Sequence, residues 1–497
     1  MNKNRRQFIQ QSSALAATGW LTTLSAMQKA SAATTGDDYK ALVCVFLAGG
    51  MDHANAVPPS PTTATGAVNP DFTAYTAARP GVAFKADELT YLADATDFDD
   101  PTRKLPFALS PQLPKLRSLF NQGHAAVLMN VGPLLGPTVA IPNTSPQQYT
   151  NPSLATAPTS RQDVPARLAS HNDQQLIWQT SGVEGTSVGW GGLMSDKLSA
   201  TYTTGNATFR GLGVNEAAPF LAGNSTIPLQ VSSEDSLSQS FYDDPLRAVV
   251  YGSSAVSQAA AQIFAGLGTV STSMSYLEQN IVAIHKRAVN ADNALRNVTA
   301  TNFTEFQSLT GDLSKSLRNV ARAIEQRTTL NAPKRQIFFV TLGGWDTHSA
   351  QPANNRASHT ELDNALFAFY QTMDGLGLSS NVTVFTASDF GRTLQGNGDG
   401  TDHGWGGHHF IVGGAVNGGK IYGAPLSSQI GAINSTRHGF AIRETLDRGV
   451  AVPTTSVHQY AATLANWMNV TDLSKVIPAI DNYGAQAWPR NLGFMKA

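Results

Sequence analysis

Histidines and aspartates that could bind a metal ion are concentrated in three short motifs of the C-terminal half. The motif GGWDTH contains Asp346 and His348, and the motif DHGWGGHH contains His403. Between them, the run SDFGR contains Asp389. Carboxylate oxygens and imidazole nitrogens are the ligands that hard and borderline divalent cations take in proteins. This combination of residue types points to a metal-dependent enzyme.

Two apolar runs predict the strands that position these side chains. Residues 337–340 (IFFV) lead to Asp346, and residues 382–386 (VTVFT) lead to Asp389. Short apolar runs bounded by turn residues are typical of buried strands in a parallel sheet. Ligands bind outside the carboxyl ends of such strands, so we expect the site at that edge.

A third strand-to-turn junction repeats the pattern. Residues 41–47 (ALVCVFL) are followed by GGMD, so Asp52 is expected at the same sheet edge as Asp346 and Asp389. Three carboxylates at one edge repel one another unless a cation lies between them. The alternative is that each aspartate caps the helix that follows its strand. The histidines that accompany the aspartates favour a metal site over capping alone.

Strands and helices alternate along most of the chain. Further apolar runs predict strands at 125–131 and 410–414. Periodicity or capping signals predict helices at 113–122, 170–178, 359–376 and 457–464. The alternation predicts an α/β fold, a three-layer α/β/α sandwich with a mostly parallel central sheet. We expect a single domain at 33–497, with a helical insertion around 244–330.

The N-terminus predicts where the protein works. Arg5 and Arg6 precede Phe8, a weakly apolar stretch follows, and ASA at 30–32 provides a cleavage site. This order is typical of a twin-arginine signal peptide, here residues 1–32. We therefore expect export by the twin-arginine machinery to the periplasm or the medium. An ordinary amphipathic helix or a Sec signal is the alternative.

The composition argues against several classes of protein. The chain of 497 residues carries a net charge of -1, which gives no support to nucleic-acid binding. Cys44 is the only cysteine, so neither an intramolecular disulfide nor an iron–sulfur cluster is expected. No apolar stretch of about 18 residues follows the signal peptide, so we expect no transmembrane span in the mature chain.

Six motifs, taken in order, resemble successive signatures of one exported bacterial family. They are GGMDHAN at 49–55, SHNDQQ at 170–175, GGWDTH at 343–348, SDFGRT at 388–393, GTDHGWG at 400–406 and VNGGKIYG at 416–423. The family is the domain-of-unknown-function family 1501, which is placed by fold resemblance in the alkaline phosphatase and sulfatase superfamily. The resemblance implies an alkaline phosphatase-like fold.

The resemblance also implies one or two divalent metal ions at the strand ends. Asp52 and Asp389 resemble the ligands of one metal ion. Asp346, with His348 and His403, resembles the other ligand set. Zinc, manganese, magnesium and calcium are all candidates at this stage.

Three further residues complete the expected site. Ser170 resembles the nucleophile at a helix N-terminus, where backbone N–H groups favour an anion; the alternative is a plain N-cap. His171 could be a ligand, an acid or a structural residue. Arg392 could hold a phosphate or sulfate oxygen bidentately, or pair with one of the aspartates.

The expected function is an exported, metal-dependent hydrolase of small-molecule or polymeric phosphate or sulfate esters. One alternative is a non-catalytic, metal-stabilised binding or surface protein on a degenerate phosphatase-like scaffold. Phe390 supports it, because relatives with phosphatase chemistry usually have a histidine after the third aspartate. A twin-arginine oxidoreductase is disfavoured, since no G-x-G-x-x-G opens a helix after a strand.

Overall fold

A computed structural model describes most of the chain. The described residues are 38–92, 96–97, 104–134, 136–137, 139–140, 149–150, 165, 167–181, 186–216, 218–233, 274–296, 301–423, 449–451, 453–484 and 488–496. The predicted signal peptide at 1–32 and the first part of the predicted insertion, 244–273, lie outside these ranges.

The described residues form a ten-stranded central sheet and two small strand pairs. The strands are β1 Lys40–Leu47, β2 Thr96–Asp97, β3 Ala125–Gly132, β4 Val139–Ala140, β5 Tyr149–Thr150, β6 Gly211–Val214, β7 Leu229–Val231, β8 Arg335–Leu342, β9 Val382–Ser388, β10 Arg392–Gly396, β11 Thr401–His403, β12 Gly407–Val412, β13 Lys420–Tyr422 and β14 Thr455–Ser456. The central order is β2–β13–β3–β12–β9–β1–β8–β6–β7, with β14 also beside β3. Only β12 runs antiparallel to its neighbours among the described strands of this sheet.

Helices cover both faces of the sheet. They are α1 His53–Ala56, α2 Pro70–Ala78, α3 Pro114–Asn121, α4 His171–Thr180, α5 Trp190–Thr201, α6 Tyr276–Arg296, α7 Asp312–Glu325, α8 Gln351–Gly375 and α9 Val457–Trp467. Short 3₁₀ turns lie at Ala86–Glu88, Ala207–Phe209, Pro219–Leu221, Thr304–Phe306, Leu473–Lys475 and Ile480–Asn482.

The alternation of side chains along β1 separates two hydrophobic cores. Val43 and Val45 pack in the core that includes apolar residues of α3, α7 and α8. Cys44 and Phe46 point the other way, into the core that includes residues of α5 and α9. The predicted three-layer α/β/α architecture is therefore confirmed.

The three central strands end at the same level. Leu47 of β1 pairs with Leu342 of β8 and with Ser388 of β9. The loops that follow these strands are therefore brought together at one edge. Because β12 runs the opposite way, its first residue, Gly407, lies at this edge too.

Most predicted strands and helices are present close to their expected positions, and one helix start was misplaced. The predicted strands at 41–47, 125–131, 337–340 and 382–386 are all present. The start predicted for the helix at 359–376 was wrong, since α8 begins at Gln351. The first turns of α8 bury polar side chains, so apolar periodicity does not mark them. Among the described helices, none combines the length and the hydropathy needed to cross a membrane.

Candidate metal centre

A carboxylate at the end of β8 is the meeting point of several side chains. Asp346 Oδ1 accepts a hydrogen bond from Arg392 Nη1 at 2.8 Å, and His403 Nε2 lies 3.1 Å from this oxygen. His348 Nε2 lies 3.1 Å from the same oxygen. His171 Nε2 lies 3.4 Å from Asp346 Oδ2. Four donor-bearing side chains from α4, the β8–α8 loop and the β10–β11 hairpin thus converge on one carboxylate.

Three of these side chains lie close enough together to hold a metal ion. The ligand atoms of His171, Asp346 and His403 all lie within 4.8 Å of one another. His348 is close to the same set, since its Nε2 lies 2.9 Å from His403 Nε2. The structure therefore brings together Asp346, His348 and His403, as the sequence predicts, and adds His171 to them.

Two of the three histidines are held at Nδ1 by a hydrogen bond to an oxygen, and Nδ1 of the third faces a carboxylate. His171 Nδ1 donates to Asp389 Oδ2 at 2.6 Å, and His403 Nδ1 donates to the Ala169 carbonyl at 2.7 Å. His348 Nδ1 lies 3.4 Å from Asp402 Oδ1. An acceptor at Nδ1 fixes the tautomer and leaves the Nε2 lone pair for a ligand. All three Nε2 atoms face Asp346.

The backbone that holds His403 is in an uncommon conformation. Arg167 and Ala169 have φ values of 52° and 73°, in the left-handed region that non-glycine residues seldom adopt. The Ala169 carbonyl in this segment accepts the His403 hydrogen bond. The next two residues are Ser170 and His171. This short segment therefore holds His403 and also leads directly into His171. Strained conformations of this kind are concentrated at functional sites.

The hairpin β10–β11 brings Arg392 and His403 side by side. Arg392 is fully buried and donates to Asp346, to the carbonyls of Gly49 and Thr401, and to the Thr401 hydroxyl. Its guanidinium therefore fixes Asp346 in place. This is the aspartate-pairing alternative, and it leaves no open fork for a bidentate phosphate or sulfate contact.

The electrostatics of the centre favour a carboxylate and a neutral imidazole. Partial burial raises the pKa of Asp346, but the hydrogen bond and charge of Arg392 and the contacts of His348 and His403 outweigh it, so the net shift is downward. Burial lowers the pKa of His403, and it remains lowered despite the raising effects of the Ala169 carbonyl and Asp346. An ionised carboxylate beside neutral imidazoles is the protonation state that metal binding requires.

Asp52 is not brought to this centre. It is fully buried, and its Oδ2 accepts hydrogen bonds from Arg79 Nη2 and Gln351 Nε2, both at 2.5 Å, and from Asn355 Nδ2 at 3.3 Å. The sequence predicts that Asp52 and Asp389 bind the same metal ion, and in the structure Asp52 Oδ2 instead pairs with Arg79. Arg79 directly follows α2, and the other two donors, Gln351 and Asn355, lie on α8.

The other predicted residues occupy distinct places. Ser170 precedes α4, and its Oγ donates to Asp173 Oδ2 at 2.6 Å. Asp389 lies beside the centre and contacts it through His171. His408 and His409 are buried within the fold, and burial lowers the pKa of each to about 3. They are packing residues, whereas His403 faces the centre.

A family match decides the classification of the chain. The sequence matches the family described as Protein of unknown function (DUF1501) over residues 39–480. The chain belongs to this family. The match confirms the resemblance indicated by the six motifs.

Several solved structures are distantly similar to this DUF1501 chain. The structure of Ps i-CgsB in complex with k-i-k-neocarrahexaose has a TM-score of 0.33 and 8% identity, over 89% of this chain and 77% of that chain. The lipoteichoic acid synthase LtaP from Listeria monocytogenes has a TM-score of 0.29 and 9% identity, over 84% and 79%. The PsFucS1 sulfatase from Pseudoalteromonas sp. has a TM-score of 0.30 and 9% identity, over 96% and 74%. Similarity this low carries no argument about individual residues, and no curated protein matches the sequence.

Two features of the DUF1501 centre were missed from the sequence. The first is Gln175, whose Nε2 donates to Asp389 Oδ2 at 2.9 Å. The sequence marks this role only by placing Gln175 one helical turn after His171 in SHNDQQ. The Ala169 carbonyl has no sequence signal, because the residue type does not reveal the φ of the backbone.

Proposed function

We propose that this chain is an exported, metal-dependent hydrolase of phosphate or sulfate esters. The proposed metal ligands are Asp346, His171, His348 and His403. One observation carries the proposal: three imidazoles present Nε2 to one carboxylate, and in His171 and His403 a hydrogen bond from Nδ1 to an oxygen atom holds the ring.

The close pair of histidines supports a cation at this centre. His403 donates through Nδ1 to a carbonyl, so its Nε2 carries a lone pair. His348 Nε2 lies 2.9 Å from His403 Nε2, so His348 either donates a hydrogen bond to that lone pair or, with its proton on Nδ1 beside Asp402, presents a second lone pair. In the second case a divalent metal ion would take both nitrogens and the nearby Asp346 carboxylate as ligands.

The donor set also narrows the choice of metal. Imidazole nitrogens suit zinc and other borderline transition metals, whereas magnesium and calcium prefer sites built from oxygen atoms. Zinc is therefore favoured among the four candidates. When bound, such an ion would supply Lewis acidity that lowers the pKa of a hydroxyl group or water and offsets the charge of an ester.

Ser170 is the proposed nucleophile, and its neighbour supplies a proton acceptor. The Ser170 hydroxyl already donates to Asp173, which would take the proton as the serine oxygen bonds to phosphorus or sulfur. The ester oxygen would leave as an alcohol after taking a proton from water. A water molecule would then cleave the serine ester and release the acid. Arg392 keeps Asp346 fixed throughout.

The test is turnover of aryl phosphate and aryl sulfate esters by the full chain after metal loading. Ser170→Ala should lower kcat by about 10³-fold or more and leave the metal content unchanged. His403→Ala should lose both metal and turnover. Ser308→Ala, at an exposed position away from the centre, is the matched control and should behave as wild type. A fully metal-loaded wild type with no turnover on either ester would refute the reaction.

A specific observation favours a second candidate, a non-catalytic metal-binding protein. Arg392 is buried and its N–H groups already have protein acceptors, so it offers nothing to an ester anion. The same measurements of metal content and turnover separate the two candidates, because the second predicts stoichiometric metal without turnover.

The export part of the proposal has its own test. It is supported by Arg5 and Arg6 within the signal-like N-terminus. Replacing both with lysine should retain the precursor in the cytoplasm, as measured by cell fractionation. Undiminished export of that variant would contradict the twin-arginine route.

A further inference from the structure

The Asp389 carboxylate is held in one orientation by three donors. It is fully buried; its Oδ1 accepts from the Gly49 N–H at 3.1 Å, and its Oδ2 accepts from Gln175 Nε2 at 2.9 Å and His171 Nδ1 at 2.6 Å. The preceding residue, Ser388, donates to the Leu47 carbonyl at 2.6 Å and accepts from the Met51 N–H at 2.9 Å. A carboxylate with this many buried partners is rigid.

His171 connects the rigid Asp389 carboxylate to the centre. Its Nδ1 faces Asp389 and its Nε2 lies 3.4 Å from Asp346 Oδ2, so the imidazole ring stands between two carboxylates. A negative partner at Nδ1 fixes the ring orientation and increases the basicity of Nε2. Asp389 therefore acts on the centre through the ring of His171.

The other two histidines have weaker partners. His403 donates to a neutral carbonyl. His348 faces Asp402 at 3.4 Å, beyond ordinary hydrogen-bond length, and Asp402 is partly exposed to solvent. A buried, charged acceptor at 2.6 Å is a stronger partner than either of these.

We propose that Asp389 is a positioning residue that orients His171 and strengthens it as a ligand, and that it does not bind the metal ion itself. This inference rests on the proposed metal centre. It replaces the sequence-based expectation that Asp389 is a direct ligand.

The test compares metal affinity among variants of the full chain, using Zn²⁺ in competition with a chromophoric chelator. Asp389→Asn should bind Zn²⁺ about 10–100-fold more weakly with unchanged stoichiometry. Asp346→Asn, which alters a proposed ligand, should lose stoichiometric binding. Asp363→Asn changes another buried carboxylate, one that accepts from the first-turn N–H groups of α3, and should leave the affinity unchanged.

A spectroscopic readout separates positioning from ligation. With Co²⁺ in place of Zn²⁺, the absorption spectrum of Asp389→Asn should have the same shape as that of the wild type, because the ligand set is unchanged. Loss of a ligand would change both the stoichiometry and the shape of the spectrum. In the metal-free protein, the strongly hydrogen-bonded Nδ1 proton of His171 should give a downfield NMR signal that moves upfield in Asp389→Asn.

A second variant keeps the inference falsifiable if Asp389→Asn does not fold. Gln175→Leu removes one donor to Asp389 without touching His171 and should weaken Zn²⁺ binding by a smaller factor. Unchanged affinity in Asp389→Asn, or lost stoichiometry with an altered Co²⁺ spectrum, overturns the inference. Wild-type protein that binds metal without turnover overturns only the proposed reaction, whereas wild type that binds no metal overturns both.

Discussion

The sharpest structural prediction concerns Asp52, because two roles for it predict opposite results. Both Asp52 and Arg79 are completely buried, and their side chains approach to 2.5 Å. Removing one partner of a buried pair leaves the other charge uncompensated and costs about 3–5 kcal/mol. Asp52→Asn should therefore destabilise metal-free protein by about this amount. With unfolding entropy of about 2 cal/mol/K per residue over roughly 450 residues, Tm should fall by roughly 3–6 °C.

The assay is thermal or denaturant unfolding in a chelating buffer, followed by Zn²⁺ titration of the same samples. Asp52→Asn should be less stable yet bind Zn²⁺ with wild-type affinity. Adding Arg79→Met should recover part of the loss, since paired removal of buried charges is often neutral. If Asp52→Asn loses less than about 1 kcal/mol and also loses Zn²⁺ binding, the reasoning fails and Asp52 is a ligand.

Gly49→Ala should destabilise the fold and weaken Zn²⁺ binding, because a Cβ at this positive-φ position would overlap the Asp346 amide nitrogen. Gly343→Ala is the matched control for the unfolding and Zn²⁺-binding measurements, because a Cβ there meets open space. Burial raises the pKa of Asp71 to about 6, so the folded state keeps this proton at pH values where the unfolded chain has lost it. The free energy of unfolding should therefore fall as pH rises from about 4 to about 6, and Asp71→Asn should remove that slope from denaturant midpoints measured across this range. Equilibrium dialysis against equal concentrations of the four candidate cations should retain Zn²⁺ ahead of Mg²⁺ and Ca²⁺, and preferential retention of Ca²⁺ would contradict a centre rich in imidazole.

The fold could be predicted because its strands are marked locally. The runs at 41–47, 337–340 and 382–386 are buried on both faces, so they read as continuous apolar segments. The strand order and the reversed direction of β12 could not be predicted, because they depend on contacts between distant segments.

Helices show where local periodicity misleads. Gln351, Asn355 and His359 lie four residues apart on one face of α8, and all three are buried. Because this buried face is polar, apolar periodicity did not indicate the first turns of the helix. In contrast, Leu277 and Ile281 correctly predict α6 by their spacing, yet they are 68% and 57% exposed. Periodicity identified this helix but not whether its apolar face is buried.

The candidate site was predicted in part for a related reason. Asp346, His348 and His403 stand in motifs whose composition signals ligands, and the structure brings them together. Asp52 stands in an equivalent motif, but its Oδ2 forms a buried ion pair with Arg79, which the sequence does not place near it. The partner of a charged side chain is set by tertiary structure, so a motif can indicate a ligand type without deciding its role.

Phe390 bears on whether the centre is a degenerate one. It stands where the family resemblance leads one to expect a histidine after Asp389, but its ring packs 4.9 Å from the His171 ring and 4.6 Å from the His403 ring. The imidazole beside Asp389 comes instead from α4, as His171. A missing histidine at this position is therefore weak support for a non-catalytic protein, because another element supplies the same group. The buried Arg392 is the stronger support, since each of its three nitrogens already donates to a protein acceptor.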